Sequence, residues 1–422
     1  VKRSALVIIG GGGLFHDYWD VDLSGILSDR HQGLALYASL ALLTGLLNKP
    51  LMIYGVGVGP LHTDQGKRFT KAVFETARTA AVRDHESKAI LCDLGLDPGK
   101  ISVTADPSFR WLERHHRSPV SPQIIAPKPY LGIALRNWNL DPASDAWEGQ
   151  VADAVDDYLD LRDGSAVFIP FQVGEDRLSN DLEIANRIHR QLRNRERAVV
   201  LNPDLSPGTI SSVISMCDVL LGMRLHAIIF AALNEVPVVG LEYDPKIFRT
   251  MRQLGIEDYT LPLENLNRQV LLARLEKAVQ NAAGLREQLG AQKEGLKKRA
   301  RVNSQEAVRL LNDHRNTSSL PDQTEDRLSE TLFNLVVASS QKKESRLIDA
   351  AARYEKNRRA QAAEIAALQD EKLNLERLAK EERTAHREQA QAYESRISHL
   401  TGDLEHQKSL VEEKKARINQ TA

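Results

Sequence analysis

Short apolar runs separated by amphipathic stretches organise the chain from Ala5 to about Leu254. ALVIIG, LMIYGVG, AAVR, ISVT, YLGIALR, AVFIPF, AVVLN, DVLLG and PVVGLE are compact, β-rich and apolar on both faces, so each predicts a strand. Between them, GKRFTKAVFETARTA, DLEIANRIHRQLRN and TISSVISMC space their apolar residues as helices do. Buried strands with helical crossovers predict parallel sheets covered on both sides. GLALYASLALLTGLL, Gly33 to Leu47, is too short to span a bilayer and ends in NKP before the next strand. It predicts a helix packed on a sheet.

HHRSPVSPQIIAPKP, His115 to Pro129, carries four prolines and no periodicity, which predicts a joint between two domains. The expected layout is a first α/β domain over 1–118, a linker over 119–129 and a second α/β domain over 130–262. A helical extension over 263–314, a polar joint over 315–324 and a long helix over 325–422 follow. The fold class is therefore α/β, with two Rossmann-like parallel-sheet domains and a helical, coiled-coil-like tail. The chain runs almost at once into a core strand, so the first domain is expected to be incomplete at its N-terminus. In the tail, Leu347, Tyr354, Leu368 and Leu375 share one heptad lattice, and Ile397, Leu404, Val411 and Ile418 share another, offset by one residue. Gln361, Lys372, Gln407 and Lys414 interrupt the seam. The pattern fits a weak coiled coil that could join copies of the chain, or a solvated single helix.

Composition adds exclusions. Apolar residues are 42% and charged residues 27% of the 422, and the formal net charge is −1, so nothing draws the chain to nucleic acid. The two cysteines, Cys92 and Cys217, lie in helical stretches and are expected to be reduced core thiols of a cytosolic protein. No targeting peptide is visible.

The chemistry gathers where strands end. GGGGLFHD brings Gly11, Gly12 and Gly13 to a strand's carboxyl edge, where backbone can approach a ligand or another strand. It fails the dinucleotide fingerprint, because the third glycine would fall at Phe15. YGVGVGP adds Gly57 and Gly59 at a second strand end. In AVRDHES, Asp84 is either a helix N-cap or a working carboxylate, with Arg83 as its partner or as a ligand group. VTADPSF ends a strand at Asp106, which reads as a turn former. The stretch VLLGMRLHAIIFAALNEVPVVGLEYDPK is the most telling. Gly222 closes a strand, Arg224 and His226 open the helix after it, and Lys246 returns to the same edge one strand later. Helix-terminal amides favour an anion, a guanidinium grips carboxylate or phosphate, and an imidazole exchanges protons near neutrality.

GGGGLFHD, GVGVGP, AVRDHES, VTADPSF, IPFQVGED and GMRLHAIIFAALNEVPVVGLEYDPK resemble, in order, motifs of the polysaccharide pyruvyl transferase family. The resemblance covers roughly Ala5 to Leu261. It implies a GT-B-like fold and transfer of the unit derived from phosphoenolpyruvate onto a sugar as a cyclic ketal. Arg224, Leu225 and His226 then match an Arg-Leu-His that binds phosphoenolpyruvate, Lys246 a functional lysine, and Arg83–Asp84 the first domain's Arg-Asp element. On this resemblance His226 is a general acid or a phosphate donor group, Arg224 and Lys246 hold the two anionic groups, and Asp84 takes a hydroxyl proton. Phosphoenolpyruvate is a co-substrate; no metal or further cofactor is called for. The acceptor is an oligosaccharide or lipid-linked saccharide, met in the cytoplasm or at the inner membrane face without a spanning segment. Family members carry a further β-α-β stretch before the GGGG strand.

Two rivals stand beside this. A nucleotide-sugar glycosyltransferase of the same plan would use paired glutamates, and Glu235 and Glu242 come within one position of that spacing. A scaffold with a silent α/β part would leave the polar strand-edge groups dispersed and work through its tail.

Overall fold

The computed structural model describes residues 1, 3–18, 21, 26, 33–113, 128–138, 146–174, 180–202, 205–316 and 388–413. The chain divides into two units, Val1–Ser340 and Gln341–Ala422.

The first unit holds two parallel sheets. In the first, β1 (Val7–Gly10), β3 (Leu51–Val58), β4 (Thr79–Val82) and β5 (Ile101–Val103) lie in that order. A short β2 (Gly13–Phe15) pairs with the far end of β3, Gly13 opposite Gly57. Between β1 and β2 the chain passes through Gly11 and Gly12 at φ 79° and 82°, a region only glycine enters cheaply. Helices α1 (Gly33–Leu46), α2 (Asp64–Thr76) and α3 (His85–Asp93) belong to this lobe. As expected, α1 is a packed helix: Leu34, Ala35, Ala38 and Leu42 are buried. Among the described residues, no helix is long and apolar enough to cross a membrane.

The second sheet runs β11 (Thr260–Pro262), β10 (Val238–Glu242), β9 (Val219–Gly222), β6 (Tyr130–Ala134), β7 (Ser165–Phe168), β8 (Ala198–Val200). All its pairings are parallel. Helices α4 (Ala146–Arg162), α5 (Asp181–Gln191), α6 (Pro207–Met216), α7 (Leu225–Leu233), α8 (Pro245–Gln253) and α9 (Arg268–Gln280) complete the lobe. The chain builds outward from β6 to β8, then returns through α6 to the other side of β6. The direction of winding therefore reverses between β6 and β9, and a crevice opens at their carboxyl ends. This is the expected pair of Rossmann-like lobes, on a GT-B-like plan. Cys217 is buried in the second core and its thiol is pushed up to about 12 by burial; Cys92 is half-buried, and both are free.

Pattern reading placed nine of the eleven strands. It missed β2 and β11, each only three residues long. The structure also integrates a segment expected to be an extension. After α9, α10 (Ala282–Asn316) packs Leu285, Leu289, Leu296 and Ala300 into the second core and then reaches the first lobe. There the buried Asn303 accepts from Thr104 Oγ1 at 2.8 Å and donates to the Ala105 carbonyl at 3.1 Å. The next residue, Ser304, hydrogen-bonds Tyr54 Oη at 2.8 Å.

In the second unit, residues 388–413 form one helix, exposed throughout. Its heptad positions Ile397, Leu404 and Val411 are 62%, 56% and 50% exposed. Leu347, Tyr354, Leu368, Leu375 and Ile418, linker positions 119–127 and joint positions 317–324 lie outside the described residues.

Asn303 ties α10 to the first lobe through groups with no water to replace it. Asn303→Ala should lower the unfolding free energy by about 1–3 kcal/mol, the cost of stranding buried polar groups, read from urea midpoints at unchanged slope.

Candidate active site between the lobes

The crevice between β6 and β9 is occupied by a guanidinium. Met223 and Arg224 donate their amides to the Ala134 carbonyl at 2.8 and 3.3 Å, which sets the turn from β9 into α7 beside the end of β6. Arg224 is the N-cap residue of α7. Its Nε donates to Asp181 Oδ2 at 2.8 Å, and its Nη2 to Asp181 Oδ1. Asp181, in the first turn of α5, is 1% exposed and also accepts the Phe171 and Gln172 amides at 3.1 and 3.0 Å. The fork is thus locked by one face, and Asp181 does not engage Nη1. Leu225, buried behind it, anchors the helix start.

Lys246 stands at the end of the adjoining strand, in the first turn of α8. Its amide donates to Asp244 Oδ1 at 2.9 Å and its Nζ to Oδ2 at 2.8 Å, with Nζ 4.9 Å from the Tyr243 ring centre. Burial opposes the Asp244 charge, but Lys246, the α8 amide and Tyr18 outweigh it and hold the carboxyl below its usual range.

The first lobe faces this pair with His16 and Tyr18, just beyond β2. Tyr18 hydrogen-bonds Asp244, and burial followed by that acid pushes its phenol upward. Its ring meets Trp138 edge-on at 5.6 Å. Arg136 lies over Trp138 and Tyr243 at 5.3 and 5.1 Å and donates to Tyr243 Oη at 3.1 Å. Burial first, then the positive charges of Lys246 and Arg136, shift the His16 pKa downward against Asp244 and Asp17. Its Nδ1 is buried with no hydrogen-bond partner. Such a group calls for an explanation in a finished interior. Asp17 pins this loop by accepting the His62 and Thr63 amides and the Thr63 hydroxyl, each at 2.7 Å.

Sequence reasoning missed His16, Tyr18, Arg136, Trp138, Tyr243 and Asp244 as site residues. The GGGGLFHD and EYDPK stretches marked both strand ends. Nothing local says that they face one another across the lobes.

Arg83 and Asp84 form a buried brace. Arg83 lies 3.6 Å from Asp84 Oδ2 and 3.3 Å from Asp106 Oδ2. Its guanidinium presses on Gly57 so closely that a Cβ there would lie 2.5 Å from Nη2; Gly13 lies on the same group. This close approach requires Gly57. Gly59 follows at φ 90°, and Gly222 meets Ile228 where α7 closes on β9. Asp84 caps α3 by accepting the Ser87 amide at 2.7 Å, and Asp106 turns the chain by accepting the Ser108 amide. The brace also receives α8 from the other lobe: Gln253 donates to the Arg83 carbonyl at 2.9 Å, Arg249 to the Val58 carbonyl at 3.3 Å, and Arg252 pairs with Glu86.

His226, exposed in the first turn of α7, lines a cavity of about 510 Å³ with Tyr54, Arg110 and Trp111 of the first lobe and Phe171 and Phe230 of the second. Arg224 and Lys246 do not line it. The three groups expected to converge therefore share the carboxyl edge of one sheet in three different settings: Arg224 on Asp181, Lys246 on Asp244, His226 on the cavity. Dispersion of this kind is what a silent scaffold predicts. Against that stands the make-up of the cleft, where both lobes contribute to one polar cluster around an unpartnered imidazole nitrogen. The paired-glutamate arrangement does not form. Glu235 precedes β10 and pairs with Lys293, whereas Glu242 ends β10, so a whole strand separates them.

A family profile described as polysaccharide pyruvyl transferase matches residues 2–245, more than half of the chain and ending one residue before Lys246. The amylovoran biosynthesis protein AmsJ of Erwinia amylovora is 21% identical over 300 residues, covering 68% of this chain and 69% of AmsJ. Among solved structures, UDP-GlcNAc 2-epimerase from Neisseria meningitidis bound to UDP-GlcNAc is similar at a TM-score of 0.47 and 11% identity, over 73% of this chain and 76% of that one. HepE of Anabaena in complex with UDP is similar at 0.44 and 14%, over 66% and 77%. Likenesses this loose carry no argument about activity. The profile does: by its match over β1 to the start of α8, the chain belongs to the polysaccharide pyruvyl transferase family.

Proposed function

We propose that the protein transfers the pyruvyl unit of phosphoenolpyruvate to a saccharide, closing a cyclic ketal on two hydroxyls of one sugar, in the synthesis of an exopolysaccharide or cell-wall polymer. The observation that carries the reading is that Arg224, Leu225 and His226, which resemble the family's Arg-Leu-His, stand at the switch point of the second sheet, with Arg224 locked on Asp181 and Lys246 at the end of the next strand. A pyruvyl transferase needs a three-carbon donor, and phosphoenolpyruvate carries a carboxylate and a phosphate that call for two cationic anchors. Arg224 and Lys246 are those anchors. A guanidinium already held by a buried acid keeps its orientation without a cost at the moment of binding.

In the reaction, His226 gives a proton to the methylene carbon, leaving an oxocarbenium-like centre. One sugar hydroxyl adds and surrenders its proton to the imidazole, restoring the acid. Phosphate then leaves, and the second hydroxyl adds to the centre it exposes. Of the two hydroxyl protons, one is thereby replaced on the new methyl group and the other departs with phosphate. Positive side chains stabilise the negative charge that gathers on the departing phosphate. Because His226 serves in both directions, the base role expected of Asp84 is not required. Arg83 and Asp84 instead brace the strand ends on which α8, and with it Lys246, docks.

The direct test is to incubate the protein with phosphoenolpyruvate and a panel of oligosaccharides, following mass gain and phosphate release, with UDP-sugars as the contrasting donors. Turnover of UDP-sugars alone would refute the reading. Exposed His226 can be removed without touching the core. His226→Ala should cut kcat by roughly a hundredfold or more, the usual size of acid–base catalysis, while the unfolding midpoint stays put; retained ketal formation would eliminate the acid role. Arg224→Lys loses the two-pronged pairing with Asp181 that orients the group, so the KM for phosphoenolpyruvate should rise about tenfold or more, and an unchanged KM would remove Arg224 from the donor site.

A further inference from the structure

We propose that the cavity beside His226 is a pyranose subsite that holds the acceptor sugar. The inference rests on the pyruvyl-transfer reading above and adds where the acceptor binds and by what chemistry.

Three aromatic rings form one wall. Trp111 comes from the turn after β5, Phe230 from α7 and Phe171 from the loop after β7. Trp111 and Phe230 stand 6.3 Å apart at 36°, and Phe171 and Phe230 6.1 Å apart at 45°. The three rings give the cavity an apolar part to its lining, and its volume, about 510 Å³, falls within the ~300–1,000 Å³ usual for small-molecule sites. The polar groups of the lining are hydroxyls, a guanidinium and an imidazole. Tyr54 Oη and Arg110 Nη1 both lie 2.8 Å from Ser304 Oγ, forming a continuous polar strip, and His226 is exposed.

A ligand that suits both surfaces has flat C–H faces and an edge of hydroxyl groups, which describes a pyranose ring. Phosphoenolpyruvate does not suit them, since a small dianion gains nothing from ring faces. A nucleobase would also stack on such rings, so UMP is the competing ligand in the test below. The position of the wall fits transfer. His226 belongs both to the cavity and to the first turn of α7, two residues beyond Arg224. The amide of Phe171 donates to the same Asp181 carboxylate that grips Arg224. One buried acid thus fixes the backbone of Phe171, one ring of the wall, relative to the donor's anchor.

The test measures binding apart from turnover. Saturation-transfer NMR on the full chain, with maltotriose, cellotriose, chitotriose, UMP and phosphoenolpyruvate as separate probes, should show transfer to pyranose ring protons of at least one trisaccharide. Trp111→Ala and Phe171→Ala should weaken that binding at least tenfold. Trp111→Phe, which keeps a ring, and Lys246→Ala, which touches only the donor side, should retain it. Unfolding midpoints of all variants verify the fold. Binding of no trisaccharide, binding indifferent to both alanine variants, or competition by UMP for the Trp111-dependent signal would each overturn the proposal. The two readings fail separately. Ketal formation with an unchanged saccharide KM in Trp111→Ala sinks the cavity alone. Ring-dependent trisaccharide binding without turnover of phosphoenolpyruvate sinks pyruvyl transfer alone.

Discussion

A single buried carboxylate, Asp181, organises the working edge of the second lobe. It receives two donors from Arg224 and two backbone amides from the loop after β7, at the one place where the winding of the sheet reverses. A buried charge with so many donors is satisfied, whereas either partner alone would be costly to keep. Substitution of Asp181 would therefore release the guanidinium, the loop and the aromatic wall together. Any function placed at this edge inherits its geometry from that pairing.

The second organising contact is the seating of α8 on the first lobe. Its first turn carries Lys246 and its cap Asp244, and its later residues bond the Val58 and Arg83 carbonyls. Arg83 in turn needs Gly57 to be without a side chain. The glycine-rich strand ends are therefore part of the mechanical link between lobes. Their glycines admit a guanidinium, and Gly13 also pairs with Gly57 of the neighbouring strand, the strand contact the sequence had suggested.

Much of the fold was legible because parallel strands buried on both faces announce themselves as continuous apolar runs. The misses have physical reasons. β2 exists only because the chain bends through two positive-φ glycines and resumes pairing for three residues. α10 reads as a charged helical extension, yet Leu285, Leu289, Leu296 and Ala300 enter the second core and Asn303 is buried and bonded to Thr104 and Ala105. At the site, Arg224 and His226 were visible as polar residues in an apolar stretch. Their surroundings were not. Asp181 lies 43 residues from Arg224, and His16 feels the charge of Lys246 from the other lobe, and such pairings leave no local trace. The near-match of Glu235 and Glu242 misleads for the opposite reason, since close spacing spans a strand and puts them at its two ends.

The account's central claim is that the donor's methylene carbon takes up a proton and becomes the methyl group of the ketal. Running the transfer in deuterated water and examining the product by NMR tests this most directly. The account predicts a ketal whose methyl group carries one deuterium. A product that keeps its methylene, as an enolpyruvyl ether would, contradicts it, as does a methyl group without deuterium.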